Sequence, residues 1–202
     1  MIEPFSGAIL AGGRSLRMGS DKAALDPYGH GSMLSTGLRS LEGCGASGIA
    51  VVGGAPLLPI PDGVEPVADL FPGEGPLGGI ISALRWSRSD LVVVLACDMP
   101  FLTEEPIMEL VSLARGSHAL AGVFAKIDGR IQPLTAIWRR SLALELLTAS
   151  FGAGERAPRR LLDRLPHETI ICENSLALID LDSRDDIERY AHLARERTTG
   201  ES

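Results

Sequence analysis

Short apolar runs alternate along the chain with segments whose apolar residues recur at helical spacing. Runs at residues 8–11, 49–52 and 91–96 are typical of strands that are covered on both faces. Amphipathic segments follow these runs, and the first of them begins after Ser32, a residue suited to cap a helix. Strands that alternate with helices predict an α/β fold with a mostly parallel sheet.

The second half of the chain predicts shorter elements and a small antiparallel addition to the sheet. Asp128-Gly129 is typical of a hairpin turn between two strands. The expected helices are residues 104–114, 139–148 and 158–165 and a last helix from Asp182-Ser183, and the expected strands are residues 119–125, 131–138, 169–171 and 177–179. Arg156, Arg160 and Arg164 share one face, which either is solvated or meets an anion.

The composition is that of one globular domain. The chain has 202 residues, of which 45% are hydrophobic and 22% charged, and its mean hydropathy is +0.17. A chain of this length can bury roughly 70% of its unfolded surface around one core. No internal repeat, low-complexity block or linker divides the sequence. We therefore expect a single domain over residues 1–198 and a disordered tail over residues 199–202.

Charge and cysteine content exclude several classes of function. The net charge of -7 argues against a nucleic-acid partner or an anionic membrane surface, since both require a basic footprint. No secretory signal is present, and no apolar run approaches the ~20 residues of a membrane helix, so we expect a cytoplasmic protein. Cys44, Cys97 and Cys172 show neither a disulfide framework nor zinc-ligand spacing, and the four histidines are scattered.

A glycine pair, Gly12-Gly13, follows the first predicted strand. Glycines allow a sharp turn there, and backbone N–H groups that point into a shared space attract an anion. Arg14, Arg17 and Lys22 follow, and Lys22 is one of only two lysines in the chain. The alternative is an ordinary turn with solvated cations. The concentration of positive charge favours a phosphate-rich ligand.

An aspartate, Asp98, follows the most hydrophobic predicted strand. Open parallel sheets bind ligands just outside the carboxyl ends of their strands, so Asp98 is a candidate catalytic carboxylate. The alternative is that it opens a turn before Pro100. Gly73, Gly75 and Gly78 match the spacing of a dinucleotide fingerprint, but they do not directly follow the first strand, and a proline interrupts them. The context therefore disfavours a dehydrogenase.

Three stretches together resemble a known family. They are LAGGRSLRMGSDK at residues 10–22, DLFPGEGPLGGI at residues 69–80 and LACDMPFL at residues 95–102. In this order they resemble the MobA-type molybdenum cofactor guanylyltransferases of the nucleotidyltransferase superfamily. The first stretch is shared across the superfamily, whereas the other two indicate the narrower group.

The resemblance implies a Rossmann-like three-layer sandwich that binds GTP with Mg²⁺. It implies transfer of GMP to the terminal phosphate of molybdopterin carrying molybdenum, with release of pyrophosphate. It also implies transient contacts with proteins that deliver the pterin or receive the product, and we expect a monomer. The matching motifs assign nucleotide binding to Leu10, Ala11, Gly12, Gly13, Lys22, Asp69 and Asp98, catalysis to Arg17, Lys22 and Asp98, and the metal to Asp98.

Two departures from the family pattern leave the base open between guanine and cytosine. Gly53 stands where the family often has asparagine, and the usual Asn-x-Asn before the last helix is Asp180-Leu181-Asp182. Asp182 is either a second metal ligand or the N-cap of the last helix. The alternatives are a cytidylyltransferase of the molybdenum cofactor or another small-molecule nucleotidyltransferase, and, outside the enzymes, a nucleotide-sensing or cofactor-handing adaptor.

Overall fold

The computed structural model describes residues 2–12, 22–54, 58–127 and 129–199, which form seven strands and five α-helices. The strands are β1 (Phe5–Leu10), β2 (Ile49–Val52), β3 (Val64–Val67), β4 (Leu91–Ala96), β5 (Gly122–Ile127), β6 (Arg130–Arg139) and β7 (His167–Ile171). The helices are α1 (Met33–Gly43), α2 (Pro76–Trp86), α3 (Glu104–Gly116), α4 (Arg140–Gly152) and α5 (Arg184–Thr199). Among these described helices, none is both long and apolar enough to cross a membrane.

The strands form one twisted sheet in the order β3-β2-β1-β4-β6-β5-β7. All pairings on the β3 side of β4 are parallel, and β7 is parallel to β5. Strand β6 alone runs antiparallel to both of its neighbours. The predicted fold class is therefore confirmed: a mostly parallel sheet with a small antiparallel addition.

Helices cover both faces of the sheet, which explains the unbroken apolar runs. On β4, Val93 and Leu95 belong to the hydrophobic cluster under α1 and α3. Val92 and Val94 belong to the cluster under α2 and α4 on the opposite face. Successive side chains of a strand point to opposite faces, so a strand in the middle layer must be apolar at every position.

Two local expectations differ from the structure. Residues 177–179 were expected to form a strand, but Ser175–Leu178 is a 3₁₀ helix. A run this short has no period that separates strand from helix, and burial of Ala177 and Leu178 satisfies either arrangement. Helix α5 includes Thr199, the first residue of the predicted tail, while residues 200–202 lie outside the described residues.

The topology places a crevice at the carboxyl ends of β1 and β4. From β1 the chain proceeds outward to β2 and β3, and it then crosses back to β4 on the other side of β1. The chain leaves β1 toward β2 and leaves β4 toward the other edge of the sheet. The loops that follow these two adjacent strands therefore diverge and leave a crevice between them. Ligands of open α/β sheets bind at this kind of switch point.

Candidate active site

A cleft of about 950 Å³ opens at this switch point. Its walls come from the carboxyl ends of β1 to β4, the start of α2 and the segment before α5. The predicted site residues that line it are Leu10, Ala11, Gly12, Lys22, Asp69, Asp98 and Asp182. Gly13 and Arg17 lie outside the described residues, so their predicted roles stay predictions.

Lys22 joins two carboxylates that are distant in sequence. Its Nζ donates to Asp182 Oδ1 at 2.8 Å and to Asp98 Oδ2 at 3.3 Å. The side chains of Lys22 and Asp98 are only 14% and 19% exposed, whereas that of Asp182 is 74% exposed. Lys22 begins a 3₁₀ helix, Lys22–Ala24, whose Ala23 is fully buried and anchors the lysine at the cleft. The result is a partly buried cation between one inner and one outer carboxylate.

Asp98 is held in an environment that disfavours its charge. Burial raises the pKa of this carboxyl above its ordinary value of 3.8; Lys22 opposes that shift, and the nearby Asp180 and Asp182 add to it. Its Oδ1 is buried and has no hydrogen-bond partner among the described residues. A buried carboxylate oxygen without a partner is costly in a folded protein. Such an atom is suited to receive a cation that arrives with a ligand.

The contacts with the two carboxylates raise the pKa of Lys22, whereas the contact with Lys22 lowers that of Asp98. Burial alone would lower the pKa of its ammonium group, but the hydrogen bond that it donates to Asp182 and the charge of Asp98 raise that pKa above the ordinary 10.5. Lys22 therefore stays positively charged throughout the neutral range. It is a permanent cation in a cleft where phosphate groups are predicted to bind.

Asp182 does not cap the last helix, so the alternative explanation of this residue is wrong. Ser183 has that role, since its Oγ accepts the N–H of Asp186. The Asp186 carboxylate in turn accepts the N–H of both Asp182 and Ser183, which makes a reciprocal capping arrangement. The N–H of Leu181 also donates to the carbonyl of Asp98 at 3.0 Å. These bonds hold the backbone and leave the Asp182 side chain free to meet Lys22.

Asp69 stabilises the opposite wall of the cleft. Its Oδ1 accepts the N–H of Phe71 at 2.9 Å and lies 3.3 Å from Ser82 Oγ on α2. Its Oδ2 faces the glycine turn, because a Cβ built on Gly12 would lie 3.8 Å from that oxygen. The carboxylate thus ties the loop before α2 to the helix and keeps one oxygen toward the predicted nucleotide loop.

Gly53 packs against the turn after β1. Its φ is +73°, in the left-handed region, and a Cβ added there would lie 3.1 Å from Gly12 Cα and 3.2 Å from Gly12 N. The Gly53 N–H donates to the carbonyl of Val67. Glycine is therefore favoured both by the backbone angle and by the close approach of two loops. This explains a departure from the family pattern that the sequence left unexplained.

We expect Gly53→Ala to lower the free energy of unfolding by about 1–3 kcal/mol, the usual cost of an enforced unfavourable backbone conformation, and to lower it more than Gly63→Ala does. The added methyl group would meet backbone atoms of Gly12, which cannot rotate away. Gly63→Ala is the matched control, because Gly63 has a φ of +85° but has open space around it. Urea denaturation of both variants measures the difference. Equal losses would contradict a close approach at Gly53.

The glycines of the fingerprint-like stretch start α2 at the cleft. Gly75 is the N-cap residue with a φ of 93°, and Pro76 occupies the first turn. The stretch follows the edge strand β3 and a loop, not the central β1, so its context is not that of a dinucleotide fingerprint. Gly73, Gly75 and Gly79 line the cleft beside the helix N-terminus. The N–H groups of Leu77 and Gly78 there donate to the carbonyls of Arg156 and Gly75.

Part of the cleft lining was not predicted from the sequence. Leu58 and Ile60, from the proline-rich loop, and Leu134 on β6 add apolar surface suited to a nucleobase. The loop has no hydrophobic period that could reveal it. Arg156 was predicted to be solvated or to meet an anion, but its contacts with the start of α2 were not predicted: its Nη2 donates to Glu74 at 2.6 Å, and its carbonyl accepts the N–H of Leu77. It braces the start of α2, which an arginine-rich stretch by itself does not indicate.

The carboxylate oxygens in the cleft are suitable ligands for a hard divalent cation that also binds phosphate. Asp98 has a free carboxylate oxygen, and Asp182 adds a second carboxylate on the other side of Lys22. Within the described ranges, no group of three or more potential ligands is assembled for a metal ion. Mg²⁺ is commonly held by one or two carboxylates together with substrate phosphates. The residues therefore match a metal that enters with a nucleotide.

Comparisons with known proteins agree with this geometry. A family model described as the MobA-like NTP transferase domain matches residues 7–169. A probable molybdenum cofactor guanylyltransferase of Mycobacterium tuberculosis is 35% identical over 185 residues, which cover 89% of this chain and 90% of that protein. One from Clostridium perfringens is 34% identical over 136 residues, and the match covers 67% of this chain but only 66% of that protein's length.

The fold is also that of a solved structure. The crystal structure of molybdopterin-guanine dinucleotide biosynthesis protein A from Archaeoglobus fulgidus superposes with a TM-score of 0.79. The superposition covers 95% of this chain and 99% of the other, at 22% sequence identity. This likeness establishes the shared fold.

Proposed function

Because the chain belongs to the MobA-like NTP transferase family, we propose that it transfers GMP from GTP to molybdenum-loaded molybdopterin and releases pyrophosphate. The observation that carries the proposal is the Lys22 ammonium held between Asp98 and Asp182 at the switch-point cleft. Such a site neutralises phosphate charge from two sides, and phosphoryl chemistry depends chiefly on positioning and on charge neutralisation. The names of the relatives support the choice of substrate.

The proposed roles follow from the positions of the side chains. An oxygen of the acceptor's terminal phosphate attacks the α-phosphorus of GTP, and the bond to the bridging oxygen of the β-phosphate breaks. Lys22 binds the triphosphate, and Gly12 and Gly75 line the cleft beside it. Asp98 and Asp182 would hold Mg²⁺, which neutralises charge on the phosphates when bound. Arg17 and Gly13 complete the predicted set.

Cytidylyl transfer is the second candidate, and one contact favours it. Asp182 stands where the guanylyltransferase pattern has an amide, and its carboxylate binds Lys22 at 2.8 Å. A second acid at the metal position is a feature that the chain's resemblance to related cytidylyltransferases also implies. The preference of this site for guanine or cytosine is therefore the property to test first.

Substrate identity can be tested by product mass. Purified protein is incubated with metal-loaded molybdopterin, Mg²⁺ and one triphosphate at a time (GTP, CTP or ATP). We expect pyrophosphate release and a dinucleotide product with GTP alone. Saturating GTP should also stabilise the protein by about 2.7 kcal/mol at a hundredfold excess over its Kd.

Each other outcome of that experiment identifies a different function. A product with CTP but not with GTP would overturn guanylyl specificity in favour of the second candidate. Thermal stabilisation by nucleotide without pyrophosphate release for any acceptor would indicate the non-enzyme alternative, a nucleotide sensor or a cofactor-handing adaptor. Pyrophosphate release with another phosphate acceptor would place the chain among the other small-molecule nucleotidyltransferases.

We also propose that the protein acts in the cytoplasm as a single domain and as a monomer. The acidic net charge of -7 supports a small-molecule acceptor over a nucleic acid or an anionic membrane surface. Transient contacts with a protein that delivers the pterin and with an enzyme that receives the product would complete the pathway. Size-exclusion chromatography with light scattering tests the monomer directly.

A further inference from the structure

The ammonium group of Lys22 occupies the space between the two carboxylates that suit a metal ion. Its Nζ lies 3.3 Å from Asp98 Oδ2 and 2.8 Å from Asp182 Oδ1, and its side chain is only 14% exposed. Each carboxylate still has its other oxygen, and Asp98 Oδ1 is buried without a partner among the described residues. The Lys22 ammonium is thus itself the cation bound between these two carboxylates.

A divalent ion and Lys22 cannot share these carboxylates without repulsion. The two acids carry two negative charges, one of which the ammonium already neutralises, and adding a divalent ion would leave a net positive charge in a partly buried site. Like charges at such distances repel strongly when water is excluded. For the ion to bind well, the ammonium must leave the carboxylates.

A triphosphate provides both the reason and the place for that move. Lys22 lines the cleft together with Gly12 and Gly75, where the phosphates are proposed to bind. Lysine is a point charge on a flexible four-carbon stem, so its Nζ can turn from a carboxylate to a phosphate oxygen without movement of the backbone. The phosphates also bring their own oxygens to the ion, which two carboxylates alone coordinate incompletely.

We propose that Lys22 is an internal counter-ion that excludes divalent cations from Asp98 and Asp182 until a nucleotide draws it away. Nucleotide and divalent cation are thereby coupled, and the cation alone binds weakly. The inference rests on the proposed function for the identity of the ligand, but the competition itself depends only on Lys22 and the two carboxylates. Coupling of this kind between two ligands typically changes affinity by about 5- to 150-fold.

Binding of Mn²⁺ in the absence of nucleotide tests the competition. We would titrate Mn²⁺ into the wild type and Lys22→Met at pH 8 and measure free Mn²⁺ by electron paramagnetic resonance. The expected result is that Lys22→Met binds Mn²⁺ at least about fivefold more tightly than the wild type, the lower end of the range for coupled ligands. Lys126→Met, which removes the same charge from β5, a strand separated from β4 by β6, should bind Mn²⁺ as the wild type does.

Two further variants keep the test decisive. Lys22→Met combined with Asp98→Asn should lose the gained affinity, because the gain requires the carboxylate that the lysine released. Lys22→Gln repeats the experiment with a polar side chain in case Lys22→Met folds poorly, as judged by its thermal transition. Unchanged or weaker Mn²⁺ binding in a folded Lys22 variant would overturn the inference.

The experiment also separates this inference from the proposed function. It contains neither nucleotide nor acceptor, so its result does not depend on catalysis. Tighter Mn²⁺ binding by Lys22→Met, together with no transfer of any nucleotide by the wild type in the product-mass experiment, would leave the counter-ion intact and refute the transferase. Active transfer with unchanged Mn²⁺ binding would retain the transferase and refute the counter-ion.

Discussion

Asp98→Asn is expected to lower the rate of nucleotidyl transfer on the order of 10²- to 10³-fold, the range for removing one group that stabilises charge in a transition state. The same substitution should not lower the melting temperature of the ligand-free protein. The buried Asp98 carboxyl has a raised pKa and an oxygen without a partner, so its charge costs stability in the absence of a ligand. Asparagine keeps the shape and an acceptor oxygen for Lys22.

The pH dependence of this difference follows from the direction of the pKa shift. A carboxyl whose folded pKa is raised stabilises the protein below its unfolded pKa, and this contribution is lost as pH rises through the folded pKa. The stability advantage of Asp98→Asn should therefore vanish below pH 3.8, the ordinary value for the group, and grow above it. Thermal unfolding from pH 3.5 to pH 8 measures this, together with initial rates of pyrophosphate release.

Asp180→Asn is the matched control for Asp98→Asn. Asp180 lies close enough to raise the pKa of Asp98, but it does not line the cleft. The control makes the same change of charge in the same neighbourhood and should retain most of the transfer activity. If both variants lose activity to the same extent, the loss comes from the change in local charge and not from the loss of a ligand that Asp98 holds. A large loss of stability in Asp98→Asn would contradict the cost assigned to its charge.

Lys22→Met should abolish most transfer and also make stability depend strongly on pH. Without the ammonium, the triphosphate loses a charge-assisted contact, and we expect a fall in rate on the order of 10²-fold or more. Asp98 loses the partner that lowers its pKa, while burial, Asp180 and Asp182 still raise it. Ionised Asp98 then has no opposing charge among the described residues at hydrogen-bonding distance.

The loss of stability caused by Lys22→Met should depend on pH. Because the pKa of Asp98 rises further, the variant should be least stable relative to the wild type at neutral pH and should recover as pH falls toward and then below 3.8, where Asp98 becomes protonated in both the folded and the unfolded state. Denaturant unfolding at pH 4, 5.5 and 7 gives this difference. Lys126→Met, with the same loss of charge, should show no such trend, and a parallel trend in both variants would refute the assigned contacts.

Much of the framework could be predicted from local pattern. Strands β2 and β4 have the predicted bounds, because a strand between two helical layers must be apolar at every position. Ser32 caps α1 as expected, since its side chain accepts the N–H of Ser35. The 3₁₀ helix at Ser175–Leu178 was predicted as a strand because a short apolar run is compatible with both.

The candidate site could be predicted residue by residue but not as an arrangement. Asp98 was identified by its place after a buried strand, and Lys22 by its place after a glycine turn. For Asp182, a position before a helix favoured the capping role over the metal role. The structure excludes the capping role, because Ser183 and Asp186 cap α5.

The sequence by itself determined the alternation of strands and helices, the family motifs and the type of chemistry, because these depend on hydrophobic period and on residue identity over short spans. Only the tertiary structure decided that Lys22 binds Asp98 and Asp182, which are 76 and 160 residues away along the chain. It also decided that Gly53 meets Gly12. The physical reason is that strand order brings the carboxyl ends of β1 and β4 together, and no local pattern encodes that order.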